Sequence, residues 1–115
     1  MIYRVVFHLD QNDQQVLNLA LNNVTNLLRA LPEQHYDAVM LFNGPAVNLL
    51  YAETCEAADR IATLQEARVS FKACRNALAN FDIEPSALVK GCQVIPAGIT
   101  ALIELQQDGY AYIKP

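Results

Sequence analysis

The sequence predicts an α/β fold: a five-stranded, mainly parallel sheet with helices on both faces. Three observations predict it. Short runs rich in β-branched and aromatic residues alternate along the chain with longer segments whose apolar residues recur at helical spacing. Between them stand brief polar or Gly/Pro-containing stretches, each the length of one connection. The 115 residues, 53% hydrophobic against 17% charged, suit one packed core over residues 1–115 as a single domain.

The first strand is Ile2 to Leu9, an apolar run broken only by Arg4 and His8, as expected of a strand covered on both sides. After the polar turn DQND, Val16, Ala20, Val24, Leu28 and Leu31 mark one face of an amphipathic helix. Leu17, Leu21 and Leu27 widen that face, and Pro32 stops the helix. Tyr36 to Phe42 is the second strand, running into the turn signal NGPA, where Gly44 can take backbone angles closed to other residues. Thr54 is a candidate cap for a helix with Ala58, Ile61, Ala62 and Leu64 inside.

Val69, Phe71 and Ala73 alternate with Ser70 and Lys72 in a third strand that Cys74 closes. Leu78 and Phe81 pattern a short helix, Pro85 opens another helical turn, and Lys90 with Gly91 ends it. CQVIP reads as a buried fourth strand. Ala97 to Gln107 is a helix carrying Ile99, Leu102, Ile103 and Leu105, and Gly109 terminates it before the aromatic strand Tyr110 to Ile113.

Composition removes several function classes. The formal charge of -4, with basic residues scattered singly, leaves no phosphate-binding stripe and argues against nucleic acid as a partner. No apolar stretch reaches the roughly 18 residues that span a bilayer, so no membrane association is expected. The start of the chain lacks the basic residues and cleavage site of a signal peptide, so the chain is expected to begin at Met1 and to act in the cytoplasm. GxGxxG, GxxxxGK[ST], GxSxG and HExxH are all absent, and the expectation is a protein with no cofactor and no metal. Only the general fold leaves a flavin site open. Three widely spaced cysteines, Cys55, Cys74 and Cys92, with no CxxC pair, suggest neither a disulfide framework nor a zinc site.

In a parallel sheet, ligands and reactive groups gather at the carboxyl ends of the strands. The residues expected there are His8 and Asp10, Asn43 and Gly44, Cys74 beside Arg75, and Pro96 with Gly98. Cys74 is the candidate catalytic residue. A thiol at a helix amino terminus meets unpaired N–H groups and the positive end of the helix dipole, which favour thiolate, the form that attacks a persulfide or disulfide. The bland alternative is a small buried hydrophobe. Cys55 lies between Glu53 and Glu56, which disfavour the anion, and Cys92 opens a buried strand, so both are expected to be inert, with Cys92 as a conceivable partner for Cys74.

The remaining candidates, His8, Asn43, Gly44, Arg75 and Gly98, are binding residues. His8 could exchange a proton or donate a hydrogen bond at the rim, although a structural histidine is commoner. Asn43 and Gly44 could offer backbone N–H groups to an anion, though a plain tight turn uses the same residues. His35 is expected to be solvated.

Three stretches, NGPAVNLL, VSFKACRNAL and the tail VIPAGITALIELQQDGYAYIKP, together resemble the DsrE/DsrF-like family, which includes the TusD-type sulfur carriers. The resemblance runs over nearly the whole chain and is most specific in the tail. It implies a three-layer α/β/α sandwich on a five-stranded, mostly parallel sheet. It also implies that Cys74 matches the cysteine that receives sulfane sulfur as a persulfide and hands it to a partner, so sulfur donor and acceptor proteins are expected. The family's habit of forming trimers and hexamers implies a homo-oligomer. The rival is an oligomeric small-molecule-binding or interaction module that uses the same rim without transferring sulfur.

Overall fold

The computed structural model describes residues 1–31 and 35–115. Strand β1 (Tyr3–Leu9) leads through Asp13 into helix α1 (Gln14–Ala30). The Asp13 carboxylate caps that helix by accepting from Gln15 N at 2.9 Å and Val16 N at 3.4 Å. The helix stop expected at Pro32 lies outside the described residues. β2 (Tyr36–Phe42) follows, then a 3₁₀ helix (Gly44–Leu50), α2 (Ala58–Glu66) and β3 (Ser70–Cys74). The chain ends with α3 (Arg75–Asn80), a 3₁₀ turn (Pro85–Ala87), β4 (Gln93–Ile95), α4 (Gly98–Gln107) and β5 (Ala111–Ile113).

The strands form one sheet in the order β4-β3-β2-β1-β5, and each neighbouring pair is parallel. The order explains how the helices are shared out. From β1 to β4 each step goes to the next strand in the same direction, so right-handed crossovers put α1, α2 and α3 on one face. The return from β4 to β5 crosses three strands in the opposite sense, which puts α4 on the other.

Side-chain alternation then sorts the core. Val5, Phe7 and Leu9 of β1, Ala38, Met40 and Phe42 of β2, and Phe71 and Ala73 of β3 join one large cluster with α1, α2 and α3. On the α4 face the buried cluster is only Val6, Val39, Leu41 and Leu102 among the described residues.

Local differences from the sequence reading have physical causes. The NGPA signal is more than a tight turn: Gly44 takes φ +53°, and Pro45 follows it at the start of a 3₁₀ helix that buries Ala46, Val47, Leu49 and Leu50. Thr54 does not cap α2. The Tyr51–Leu88 antiparallel bridge holds the preceding segment, Thr54 N donates to Tyr51 O at 3.2 Å, and the helix begins later, at Ala58, with no side-chain cap. β4 is an edge strand, so CQVIP is only half-buried and Gln93 is exposed. The stripe read along the last helix divides: Leu102 is buried, whereas Ile99 and Ile103 are 63% and 50% exposed.

Candidate functional site

The parallel register brings the strand ends to one rim. Leu9 pairs with Phe42, Phe42 with Ala73, and Cys74 with Ile95, so residues 10, 43, 74 and 96 follow one another across the edge of the sheet.

His8 is on the α4 face, one residue before the end of β1. Its Nε2 is 2.7 Å from Asn43 Oδ1 and its Nδ1 is 2.5 Å from the Tyr112 hydroxyl. An amide oxygen only accepts, which assigns the proton to Nε2 and makes Nδ1 the acceptor from Tyr112 O–H. Both ring nitrogens are therefore engaged, and His8 serves as a hydrogen-bond relay with no nitrogen left for a substrate. Its ring is tilted against that of Tyr112 at 5.5 Å between centroids. Beside it, the Lys114 ammonium pairs with the Asp10 carboxylate and holds that carboxyl below its ordinary range, mainly through the hydrogen bond.

Asn43 has extended backbone angles and precedes the 3₁₀ helix. Its N–H donates to Leu9 O at 3.1 Å, and its carbonyl accepts from Ala46 N at 3.2 Å. Of the pair expected to offer N–H groups to an anion, Asn43 has already committed its own. Its side-chain oxygen faces His8 and does not cap the helix. Gly98 lies against the other side of Asn43: a Cβ there would stand 2.9 Å from Asn43 Cβ, closer than side chains pack. Close approach, not a left-handed backbone, is why glycine opens α4.

Cys74 ends β3 and is the N-cap residue of α3, with extended angles of φ -72° and ψ 120°. Its thiol is free, it makes no side-chain capping bond, and the residue is 7% exposed. Arg75 is exposed and lines a cleft of about 310 Å³ with Leu78, Asp82 and Glu84. α3 spans only six residues, so its dipole is short.

Cys74 is a buried member of the large core, and neither of the other two cysteines stands at the carboxyl end of a strand. Both are half-buried and pack on the large core. Burial raises the Cys55 thiol, partly offset by a backbone hydrogen bond at Ala57, and burial with the nearby Cys55 pushes Cys92 up to about 12. Cys92 thus has Cys55 as its sulfur neighbour.

Sequence reasoning brought His8, Asn43, Cys74 and Gly98 to the rim, and the structure links His8, Asn43 and Gly98 directly. It missed Tyr112 and Lys114. Both are separated from their partners by 104 positions, and no local pattern marks such a pairing. A larger apolar cleft of about 450 Å³ lies between α1 and β5, lined by Val5, Phe7, Leu27, Ala111 and Ile113, on the face opposite His8. Among the described residues no group of His, Cys, Asp and Glu is placed to hold a metal ion.

Comparison with solved structures places this architecture among known ones. The chain is similar to a protein of unknown function, MTH1491, from Methanobacterium thermoautotrophicum, at 31% identity and a TM-score of 0.91, covering 98% of this chain and 99% of that one. The fold is also that of the ychN protein from E. coli (15% identity, TM-score 0.78, 100% of both chains). BT1422, a conserved protein of unknown function from Bacteroides thetaiotaomicron, shares it too (17% identity, TM-score 0.77, 97% and 94% covered). Among curated proteins no sequence matches. The DsrE/DsrF-like family model matches residues 4–115, nearly the full length, and the chain belongs to that family.

Proposed function

We propose that this protein is a sulfur carrier that holds sulfane sulfur as a persulfide on Cys74 and passes it to a partner protein. The observation that carries the reading is the contrast among the three sulfurs. Of the three, Cys74 alone stands at the carboxyl end of a strand, as the N-cap residue of α3, whereas Cys55 and Cys92 are half-buried against the large core to which Cys74 itself belongs. Family membership supports it further.

The transfer balances without an added oxidant or reductant. The Cys74 thiolate attacks the terminal sulfur of a donor persulfide, the donor's S–S bond breaks, and the donor leaves as thiolate. An acceptor thiolate then attacks the outer sulfur of the Cys74 persulfide and releases Cys74. The protein works as a carrier, in the cytoplasm, and as a homo-oligomer. In support of the last, α4 turns Ile99 and Ile103 outward, and β5 leaves Tyr112 and Ile113 partly exposed. No helix among the described residues is long and apolar enough to cross a membrane.

Incubation with a small persulfide donor should add the mass of one sulfur atom to the intact protein. The adduct should disappear in Cys74→Ser and persist in Cys55→Ser and Cys92→Ser. Equal labelling of all three cysteines would remove the specific carrier.

A second reading is favoured by one observation, the 7% exposure of Cys74. In it the rim of a homo-oligomer binds a small molecule or partner, and the thiol merely lines it. No sulfur adduct on any cysteine, with an intact fold, decides for that reading.

A further inference from the structure

The basic residues stand singly along the sequence, yet the packing of α1 beside α2 brings two of them together. Along α1, Asn22, Thr25, Asn26 and Arg29 recur at helical spacing, on a stripe turned away from the buried Leu17, Leu21 and Val24. Arg60, in the first turn of α2, reaches that stripe from the neighbouring helix, and its Nη2 donates to Asn22 Oδ1 at 2.6 Å. The five side chains line one small cleft of about 240 Å³.

No carboxylate is among them. Within the described residues Arg29 has no hydrogen bond or ion pair, and Arg60 is bonded to a neutral amide, which leaves its charge uncompensated. Because the Asn22 carboxamide accepts through its oxygen, both hydrogens on its Nδ2 remain for another acceptor, and Asn26 carries a second amide of the same kind. The Thr25 hydroxyl gives its proton to Leu21 O at 2.7 Å, so it borders the cleft without donating. Glu56 and Asp59 line a neighbouring cleft that shares only Arg60 with this one. The last turn of α1 favours a cation through its dipole, which accounts for Arg29 by itself. It does not account for a second guanidinium brought to the same cleft by another helix.

We infer that this cleft between α1 and α2 is a binding site for a small tetrahedral oxoanion carrying two negative charges, such as sulfate, thiosulfate or phosphate. Arg29 and Arg60 supply positive charge and forked N–H donors, and the amides of Asn22 and Asn26 donate to the remaining oxygens. Both arginines are exposed, so water screens them and the affinity should be modest, with a Kd on the order of 1 mM. The site is made by two helices and uses no cysteine, so it stands whether or not Cys74 carries sulfur.

Titration of the isotopically labelled full chain with sodium phosphate, sulfate and thiosulfate, at an ionic strength held constant with sodium chloride, tests the site through amide chemical shifts. Each anion should give saturable shifts confined to the neighbourhood of residues 22–29 and 60. Arg29→Gln and Arg60→Gln should each raise Kd about tenfold, the loss of one charge-assisted contact. Arg60→Lys keeps the charge but not the fork, and should fall between the wild type and Arg60→Gln. Lys72→Gln, which removes a positive charge from the cleft beside α4, should bind as the wild type does. The spectrum of each variant without anion reports its fold. Absence of saturation, shifts scattered over the surface, or a loss in Lys72→Gln equal to that in the two arginine-to-glutamine variants would overturn the site. Phenyl phosphate separates the two sources of such a group: tighter binding than inorganic phosphate assigns the site to a phosphate ester, and weaker binding assigns it to the free anion.

Discussion

The two faces of the sheet are made by one alternation of side chains yet are sealed to different depths. On one face α1, α2, α3 and the 3₁₀ helix after β2 close over a continuous core in which Phe42 and Phe71 stack at 6.2 Å between centroids. On the other, α4 alone covers Val6, Val39 and Leu41 with Leu102, and its neighbours Ile99 and Ile103 face outward. The difference teaches where stability and chemistry reside. Three consecutive crossovers supply the well-packed face. The single return crossover leaves a lightly covered face, with the hydrogen-bonded rim of His8, Asn43 and Tyr112 beside it. Elements with few buried apolar contacts are the ones that open locally.

The strongest way to break this contrast is to empty each core in turn. Phe71→Ala removes a fully buried ring from the large core and should cost about 3–5 kcal/mol in urea unfolding, a large share of the roughly 5–15 kcal/mol that stabilises a domain. Leu102→Ala should fall nearer the lower end of the roughly 2–5 kcal/mol range for Leu→Ala, because the lightly covered site relaxes toward solvent. Equal losses would contradict the two-depth picture.

Alkaline titration sharpens the same contrast through sulfur. Cys92 has its pKa raised in the folded state, so folding favours its protonated form; the unfolded thiol ionises near pH 8.5 and the folded one only at about 12. Stability should therefore be unaffected below about pH 8.5 and fall between there and pH 12. In Cys92→Ala that decline should be shallower. An unchanged slope would place the alkaline loss elsewhere.

The smallest effect on folding is expected from Ile103→Ser. The side chain is half exposed, so the folded chain should change by within about 0.5 kcal/mol, while the assembled particle should dissociate in light scattering if α4 forms its interface. A marked loss of monomer stability would mean that the face is sealed more deeply than its exposure indicates.

Residue periodicity made most of the architecture legible. Val16 to Leu31 specify one helical face, and α1 runs from Gln14 to Ala30. Val69, Phe71 and Ala73 alternate, and β3 spans Ser70–Cys74. Local chemistry failed where a distant contact overrode it. Thr54 is a sound capping residue by type, yet the Tyr51–Leu88 bridge delays the helix. The stripe from Ile99 to Leu105 has helical spacing, but spacing cannot say how much sheet lies beneath it. At the site, the rim positions of His8, Asn43, Cys74 and Gly98 follow from strand ends. Tyr112 was hidden because its bond to His8 joins opposite ends of the chain.

By itself, the sequence determined the order of strands and helices, the parallel class of the sheet and the presence of a cysteine at a strand-to-helix junction. These depend on the spacing of apolar residues and on turn chemistry within a few positions. Only the tertiary structure decided that α4 stands alone on its face, that Gly98 packs against Asn43, and that His8 joins Asn43 to Tyr112. Those follow from strand order and crossover handedness, which bring together residues far apart in the chain.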